Sequence, residues 1–491
     1  MDFFDPQKQK RHAIRLGVGY ALIALALALA TTILLYQAYG FGIDRSGKVI
    51  QNGLVFLSSR PKGAAIYVNN KQYKSDTNTR MVLPGGQYTL RIERNGYRSW
   101  QRALTVEGGS VERFDYPLLL PAKLATTTTK QYSAAPTIAT QSDDRRWLLV
   151  GLNNADTFDL FDLRPAKPDA PQTISLPDDV LSAGSTTGWQ LAQWADDNRH
   201  VLLKRTYQKD AADPKTEYIL IDREDPTQSK NLTQVLGFAP TDIELRKGDF
   251  NDYYAYDQAN GTVFRATLKK PTPQLYLEHV VAFTSDQNTV LYASTDGTSD
   301  GKANIRLRQD DDPAYTLRTV PAGGIYLLDL ALFNGVQYVA AGVQSEDKVF
   351  VYHDPLASLK DKEIQVATPV QSLKVASPNY VVFSQNARYV MAENNDRFAV
   401  YDSENDKSYA YQTKTPLDVS GGHADWMDGY HLQLISGGKV RIFDFDGANK
   451  QTLVPANTAY LPVYDTNYRS IYTFTTQNIL TSTALLTAED Q

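Results

Sequence analysis

The stretch SQNARYVMAENNDRFAVYD, Ser384–Asp402, decides the fold. A polar turn leads into a short apolar strand from Tyr389, a second turn follows, and a strand from Phe398 closes on Asp402. The same order recurs in SDDRRWLLV with FDLFDL, ADDNRHVLL with YILID, NDYYAY with TVFRATL, and SDQNTVLYA with NIRLR. It continues in NGVQYVAA with KVFVYHD, MDGYHLQLI with KVRIFD, and the less regular TNYRSIYTF with ILTSTALL. An index residue in the first apolar strand of each copy gives Trp147, Val201, Tyr254, Leu291, Val339, Val390, Leu432 and Ile471, a mean step of about 46 residues. Units of roughly 40 to 50 residues with about four short strands each are the signature of β-propeller blades, because one blade cannot bury both of its faces alone. A closed ring also protects strand edges that an open sheet would leave bare. The spacing predicts a propeller over 138–491 with seven or eight blades, residues 131–139 being a candidate to complete the last one.

The turn-strand element in SQNARYVMA and SDDRRWLLV resembles the "S-x-D-G-x-x-hydrophobic" repeat of propellers related to the Tol-system periplasmic propeller and to peptidase propeller domains. Arg145, Asn198, Asn288 and Ala387 stand where that repeat has glycine.

Upstream, LPAKLATTTTKQYSAAPT (120–137) is of low complexity, and its threonine run reads as an extended linker over 121–137. Before it, residues 53–120 alternate with the period of half-buried strands. Tyr88, Leu90 and Ile92 point one way and Thr89, Arg91 and Glu93 the other; Ile66 with Val68, and Leu104 with Val106, supply further apolar faces. Asn69-Asn70, Gly85-Gly86 and Gly108-Gly109 mark the turns of a small antiparallel sandwich. This stretch resembles the PEGA domain, a β-module of prokaryotic envelope and surface proteins. Pro61, Gly63 and Ala64 meet the naming tetrad, with Lys62 in place of Glu; Gly86, Tyr88 and Leu90, then Asn95, Gly96 and Tyr97, meet the downstream elements. The resemblance implies extracytoplasmic placement and a non-catalytic role in attachment or spacing.

The chain opens on a short basic head, residues 1–15, followed by an uncharged apolar run, Leu16–Tyr36. At 1.5 Å per residue such a run crosses a hydrocarbon core of about 30 Å. An Ala28-x-Ala30 pattern offers a cleavage site, but it falls inside the run, and a signal h-region is usually about 7 to 15 residues. The expectation is an uncleaved single-pass anchor. Lys8, Lys10, Arg11 and Arg15 precede it, while Arg45 and Lys48, with Asp44 between them, follow; this bias places the N-terminus in the cytoplasm and the body outside.

The formal charge is −5, and the head carries about +2, so the body carries about −7. An acidic body without basic stripes repels polyanions, which excludes nucleic acid as a partner class. The absence of cysteine excludes disulfides, thiolate nucleophiles and cysteine-ligated metals.

Motifs for chemistry are sparse. The six histidines include no H-E-x-x-H pair, and His423 with Asp425 reads as a turn before a strand rather than a ligand set. TDGTSDG, with Asp296 and Asp300, lacks the alternating ligands of a calcium loop, and Asp310, Asp311 and Asp312 read as a turn. Asp162, Asp222, Asp402 and Asp444 recur at one place in the repeat, which marks turn residues accepting backbone N–H bonds rather than a catalytic acid. No nucleophile elbow or phosphate loop is present. No catalytic, cofactor or metal residues are assigned. The expected role is a membrane-anchored binding or scaffold protein of the prokaryotic envelope with a protein or glycan partner. The alternative is a polysaccharide- or peptide-processing enzyme whose acids come from several blades around the channel.

Overall fold

A computed structural model describes residues 6–38, 40–43, 47, 49–152, 156–165, 168–209, 213–361, 366–413, 422–487 and 490. The chain divides into two compact units, residues 1–123 with 487–490, and residues 124–486 with 491.

In the first unit one helix, α1 (Pro6–Ala38), runs through the apolar segment. The basic head from Pro6 onward is therefore the opening turns of this helix rather than a separate element, since nothing between Gln7 and Arg15 breaks a helix. Its apolar side chains are bare, with Leu22 61%, Leu27 63% and Leu34 64% exposed. The post-helix charges Asp44, Arg45 and Lys48 lie outside the described residues.

The sandwich follows. One sheet is built on Val49–Leu57, which pairs antiparallel with Phe41–Ile43 and Thr79–Pro84 and parallel with Val111–Phe114. The other runs in the order Lys71–Gln72, Ala65–Val68, Gly86–Glu93, Trp100–Val106. The expected alternation holds, with Ile66, Leu90, Ile92 and Trp100 fully buried between the sheets together with Val55, Leu57 and Met81. Asn69 and Asn70 both take positive φ, 48° and 65°, as a two-residue hairpin turn with the twist of its strands requires.

The second unit is a propeller of eight four-stranded antiparallel sheets. Blades 1 to 7 each use four consecutive strands, beginning with Ile138–Gln141, Ser185–Trp194, Asp242–Leu245, Val280–Asp286, Tyr326–Phe333, Tyr380–Phe383 and Asp425–Trp426. Blade 8 joins Val463–Tyr464, Ser470–Phe474 and Ile479–Ala484 to a fourth strand from far upstream, Thr126–Gln131. The count is eight. The threonine run is thus not a linker: Thr126 to Gln131 pair with Ile479 to Thr483, and the Thr126 and Thr483 hydroxyls meet at 2.8 Å. β-branched residues suit an outer strand, and composition alone could not reveal a partner more than 350 residues away. The strand that completes the last blade is 126–131 rather than 131–139.

Each index residue of the repeat lies in the second strand of its blade, so the sequence frame is offset by one strand. Several first strands are short or irregular, as Asp425–Trp426, Val463–Tyr464 and the bulged Ser185–Trp194 are, and escape a search for apolar runs.

Packing between neighbours closes the circle. Leu149, Phe158 and Ile174 of blade 1 meet Trp194, Val201 and Ile219 of blade 2, and similar cores join blades 2 to 3, 3 to 4, 4 to 5 and 5 to 6. Phe398 of blade 6 meets Phe443 of blade 7, and the Tyr464 hydroxyl of blade 8 donates to Gln433 of blade 7 at 2.7 Å. Leu148, Val150 and Phe161 of blade 1 then pack on Val463, Tyr472 and Phe474 of blade 8.

Candidate binding site in the propeller channel

The first strands of successive blades lie side by side, blades 1, 2 and 3 on one arc and 4, 5 and 6 on another, so they line the axis of the ring. Side chains on them stitch neighbouring blades together. Trp194 Nε1 donates to Thr140 Oγ1 at 3.1 Å, and Gln193 Oε1 accepts from the Leu245 amide at 2.8 Å. Ser285 Oγ donates to Glu244 Oε2 at 2.5 Å, and Asp329 Oδ2 accepts from the Phe383 amide at 2.7 Å. Gln141 bonds both the carbonyl and the amide of Tyr464, locking blade 1 to blade 8.

Besides Asp242, whose carboxylate accepts from the Tyr218 hydroxyl at 3.2 Å, four carboxylates, Glu244, Asp286, Asp329 and Asp425, come from these first strands. All four are half-buried. Burial pushes Glu244 up to about 8 against the opposing Ser285 bonds, and Asp329 up to about 7 against two backbone N–H bonds, with Asp286 nearby adding to the shift. Burial raises Asp286 and Asp425 as well.

A cavity of about 420 Å³ opens beside this ring, bordered by blades 1, 2, 6, 7 and 8. Its lining mixes the exposed Leu191 (44%) and Leu461 (55%) with the indoles of Trp189 and Trp426, and with polar Gln190, Gln385, Arg145 and Asp425. The Arg145 guanidinium lies 4.2 Å from the Tyr468 ring, whose hydroxyl donates to the Met427 carbonyl at 3.1 Å. Apolar walls with a few oriented amides and charges suit an extended organic ligand such as a peptide segment or a glycan.

Residues singled out in the sequence fall elsewhere. His423 bonds Glu393 through Nδ1 at 2.8 Å and stacks on Tyr380 at 4.4 Å; its partner is not Asp425, whose carboxylate turns to the Trp426 amide. Asp296 pairs with Arg306 at 3.0 Å, Asp310 with Arg246 at 2.5 Å, Asp311 with Arg265 at 2.7 Å and Asp312 with Lys360 at 2.9 Å. Among the described residues, no group of three or more histidines and acids is placed to hold a metal ion.

The recurrent aspartates accept turn amides: Asp162 from Arg164, Asp222 from Glu224 and Asp225, and Asp402 from Glu404 and Asn405. In blades 1, 2 and 6 they also receive the Arg that directly precedes the second strand. Arg146, Arg199 and Arg388 bond Asp162, Asp222 and Asp402 across the blade. At Asp222 burial works to raise the pKa, but Arg199 and the two turn amides bring it below the usual carboxylate range.

Residues 52–119 match the PEGA domain model, so the first unit contains a PEGA domain after α1. No curated protein sequence matches the chain. Solved structures similar to it include Hsv2 of Kluyveromyces lactis, with a TM-score of 0.42 and 9% identity over 66% of this chain and 100% of that one. Dihydro-heme d1 dehydrogenase NirN also scores 0.42, at 13% identity over 66% and 67%. The Cps50 (Swd1) propeller domain of Myceliophteria thermophila scores 0.34, at 9% identity over 74% and 100%. The architecture here rests on the strand pairing itself.

Proposed function

We propose that the protein is a single-pass, membrane-anchored scaffold of the prokaryotic cell envelope, with its N-terminus cytoplasmic and its propeller acting as an extracytoplasmic recognition surface for a protein or glycan. The observation that carries this reading is α1: in its segment Gln9–Tyr36 the most apolar window has a mean hydropathy of 2.3 and none of it is buried, while the sandwich and the propeller have cores of their own. Water would not tolerate that surface, and a bilayer of about 30 Å removes it. The channel-mouth cavity supplies the binding chemistry, and the PEGA domain supports a spacer role. Protease added to intact cells should remove the propeller, and lysis should add no further cleavage; protection of the propeller in intact cells would reject the orientation.

A second reading has one observation in its favour. Glu244 and Asp329 are held partly protonated near neutral pH, as a general acid for glycan hydrolysis would be. Both carboxyls already serve bonds between blades, which favours the binding reading. Turnover of envelope glycan lost in Glu244→Gln, with the fold retained, would reverse that preference.

A further inference from the structure

The two outward faces of the PEGA sandwich differ in kind. On the sheet built around Gly86–Glu93 and Trp100–Val106 the outward positions carry no large aliphatic side chain: Gln87, Thr89, Arg91, Gln101 and Thr105 are polar, and Ala65, Tyr67 and Ala103 complete the face, with Arg91 4.5 Å from the Tyr67 ring. On the sheet built around Val49–Leu57, pairing sets Val82, Leu54 and Val111 in one row across three strands, and Arg80, Phe56 and Arg113 in the next. Alternation puts both rows on the face turned away from the core, because Val55, Leu57, Met81 and Phe114 between them point inward and are buried. Val82 is 55% and Val111 53% exposed, and the Arg113 guanidinium lies 4.5 Å from the Phe56 ring. An apolar row edged by two cations is unusual on a sheet that faces only water.

This sheet is also the one that continues the apolar helix. α1 ends at Ala38, the strand Phe41–Ile43 pairs with Val49–Gln51 at the start of the central strand, and the Tyr36 and Phe41 rings are 4.9 Å apart. The apolar surface that ends the helix is thus followed within three residues by the sheet whose outward face is apolar and cationic.

We propose that the face formed by Leu54, Phe56, Val82 and Val111, with Arg80 and Arg113, rests on the surface of an anionic lipid bilayer. The inference rests on the membrane-anchor reading of α1 and goes beyond it, since a spacer domain could equally stand clear of the lipid. Apolar side chains at the headgroup boundary and arginines toward lipid phosphates are the two components of interfacial binding. Each basic residue near an anionic surface strengthens it about fivefold, so the pair is worth roughly thirtyfold.

The chain contains no cysteine, so single thiols can be introduced cleanly. Full-length protein carrying Val82→Cys or, on the polar face, Ala103→Cys would be labelled with an environment-sensitive dye and reconstituted in phosphatidylglycerol-rich vesicles. The expected result is blue-shifted emission, quenched by spin-labelled lipid, at position 82 and not at 103, with loss of both effects in vesicles of neutral lipid. Adding Arg80→Gln and Arg113→Gln should lower the ratio of docked to undocked protein at position 82 by roughly thirtyfold. Equal, water-like emission at both positions would overturn the proposal. Ready disulfide dimers of Val82→Cys without lipid quenching would overturn it in favour of a second copy. Release of the chain from vesicles by alkaline carbonate would instead reject the anchor reading itself, and this proposal with it.

Discussion

Arg205 and Glu217, each 1% exposed, form the most deeply buried ion pair described in the propeller, at 2.5 Å in blade 2. Thr186 Oγ1 and the carbonyls of Ser182 and Gly184 accept from three more of the guanidinium hydrogens, and Asn231 donates to the other carboxylate oxygen at 2.7 Å. Such a network is neutral while complete and costly when halved. Arg205→Leu is expected to cost on the order of 3 to 5 kcal/mol, read as a fall in the denaturant midpoint, because Glu217 is left charged and buried. Glu244 makes a pH prediction. Its folded pKa, about 8, lies above the ordinary value for the unfolded chain. The native state therefore holds a proton that unfolding releases between about pH 4 and 8, and stability falls as pH rises through that window. Glu244→Gln, which keeps a group able to meet Ser285, should raise stability above about pH 8 by on the order of 1 to 2 kcal/mol and leave it nearly unchanged near pH 5. Urea titrations at the two pH values check this. Backbone strain sets a third expectation. The turns between first and second strands hold Arg145, Asn198, Gln287 and Ala387 at φ of 52° to 59°, a region that suits glycine. In blade 4 that residue is Gln287, one before the Asn288 that the repeat alignment indicates. Gln287 is exposed, so Gln287→Gly should stabilise the fold by about 1 kcal/mol, visible as a higher Tm.

Among elements, the strand Thr126–Gln131 carries the most consequence for its length. It closes the ring by pairing with Ile479–Ala484, so the last blade joins a strand that precedes all the others to three that follow them. Replacing Thr126, Thr127 and Thr128 by glycine removes β-branched residues from this ladder, at an expected cost of about 2 to 3 kcal/mol in total. Hydrogen exchange should quicken first in Ile479–Ala484 and leave the blade 5 strand Val336–Val343 unchanged; uniform loss of protection would mean that this strand is not a local closure. The same element shows why the repeat was legible and its frame was not. Second and third strands are buried on both faces, as in Tyr389–Asn394 and Arg397–Asp402, and stand out as apolar runs. First strands such as Asp425–Trp426 and Val463–Tyr464 are two residues long, and outer strands such as Lys407–Gln412 alternate with water.

For the molecule as a whole, α1 and the channel mouth make separable predictions. Removing residues 1–38 should release the chain from membranes into the soluble fraction and leave the thermal transition of the propeller in place, since every blade is complete without them. If the channel mouth is the recognition surface proposed above, Leu461→Asp, at an exposed position in the cavity lining, should abolish crosslinking of the full-length protein to its partner there with little change in Tm. Retained crosslinking would move the recognition surface to another face of the ring.

Periodicity, turn residues and a charge-free apolar run are local properties, and they sufficed for the apolar helix, the sandwich with its buried Leu90 and Ile92, and the propeller class, because each depends on neighbours within about ten residues. The blade number, the role of the threonine strand, and the gathering of Glu244, Asp286, Asp329 and Asp425 around one axis depend on pairings between residues tens to hundreds of positions apart. Only closure of the ring brings those side chains together, and burial in that ring, rather than any motif, sets their protonation.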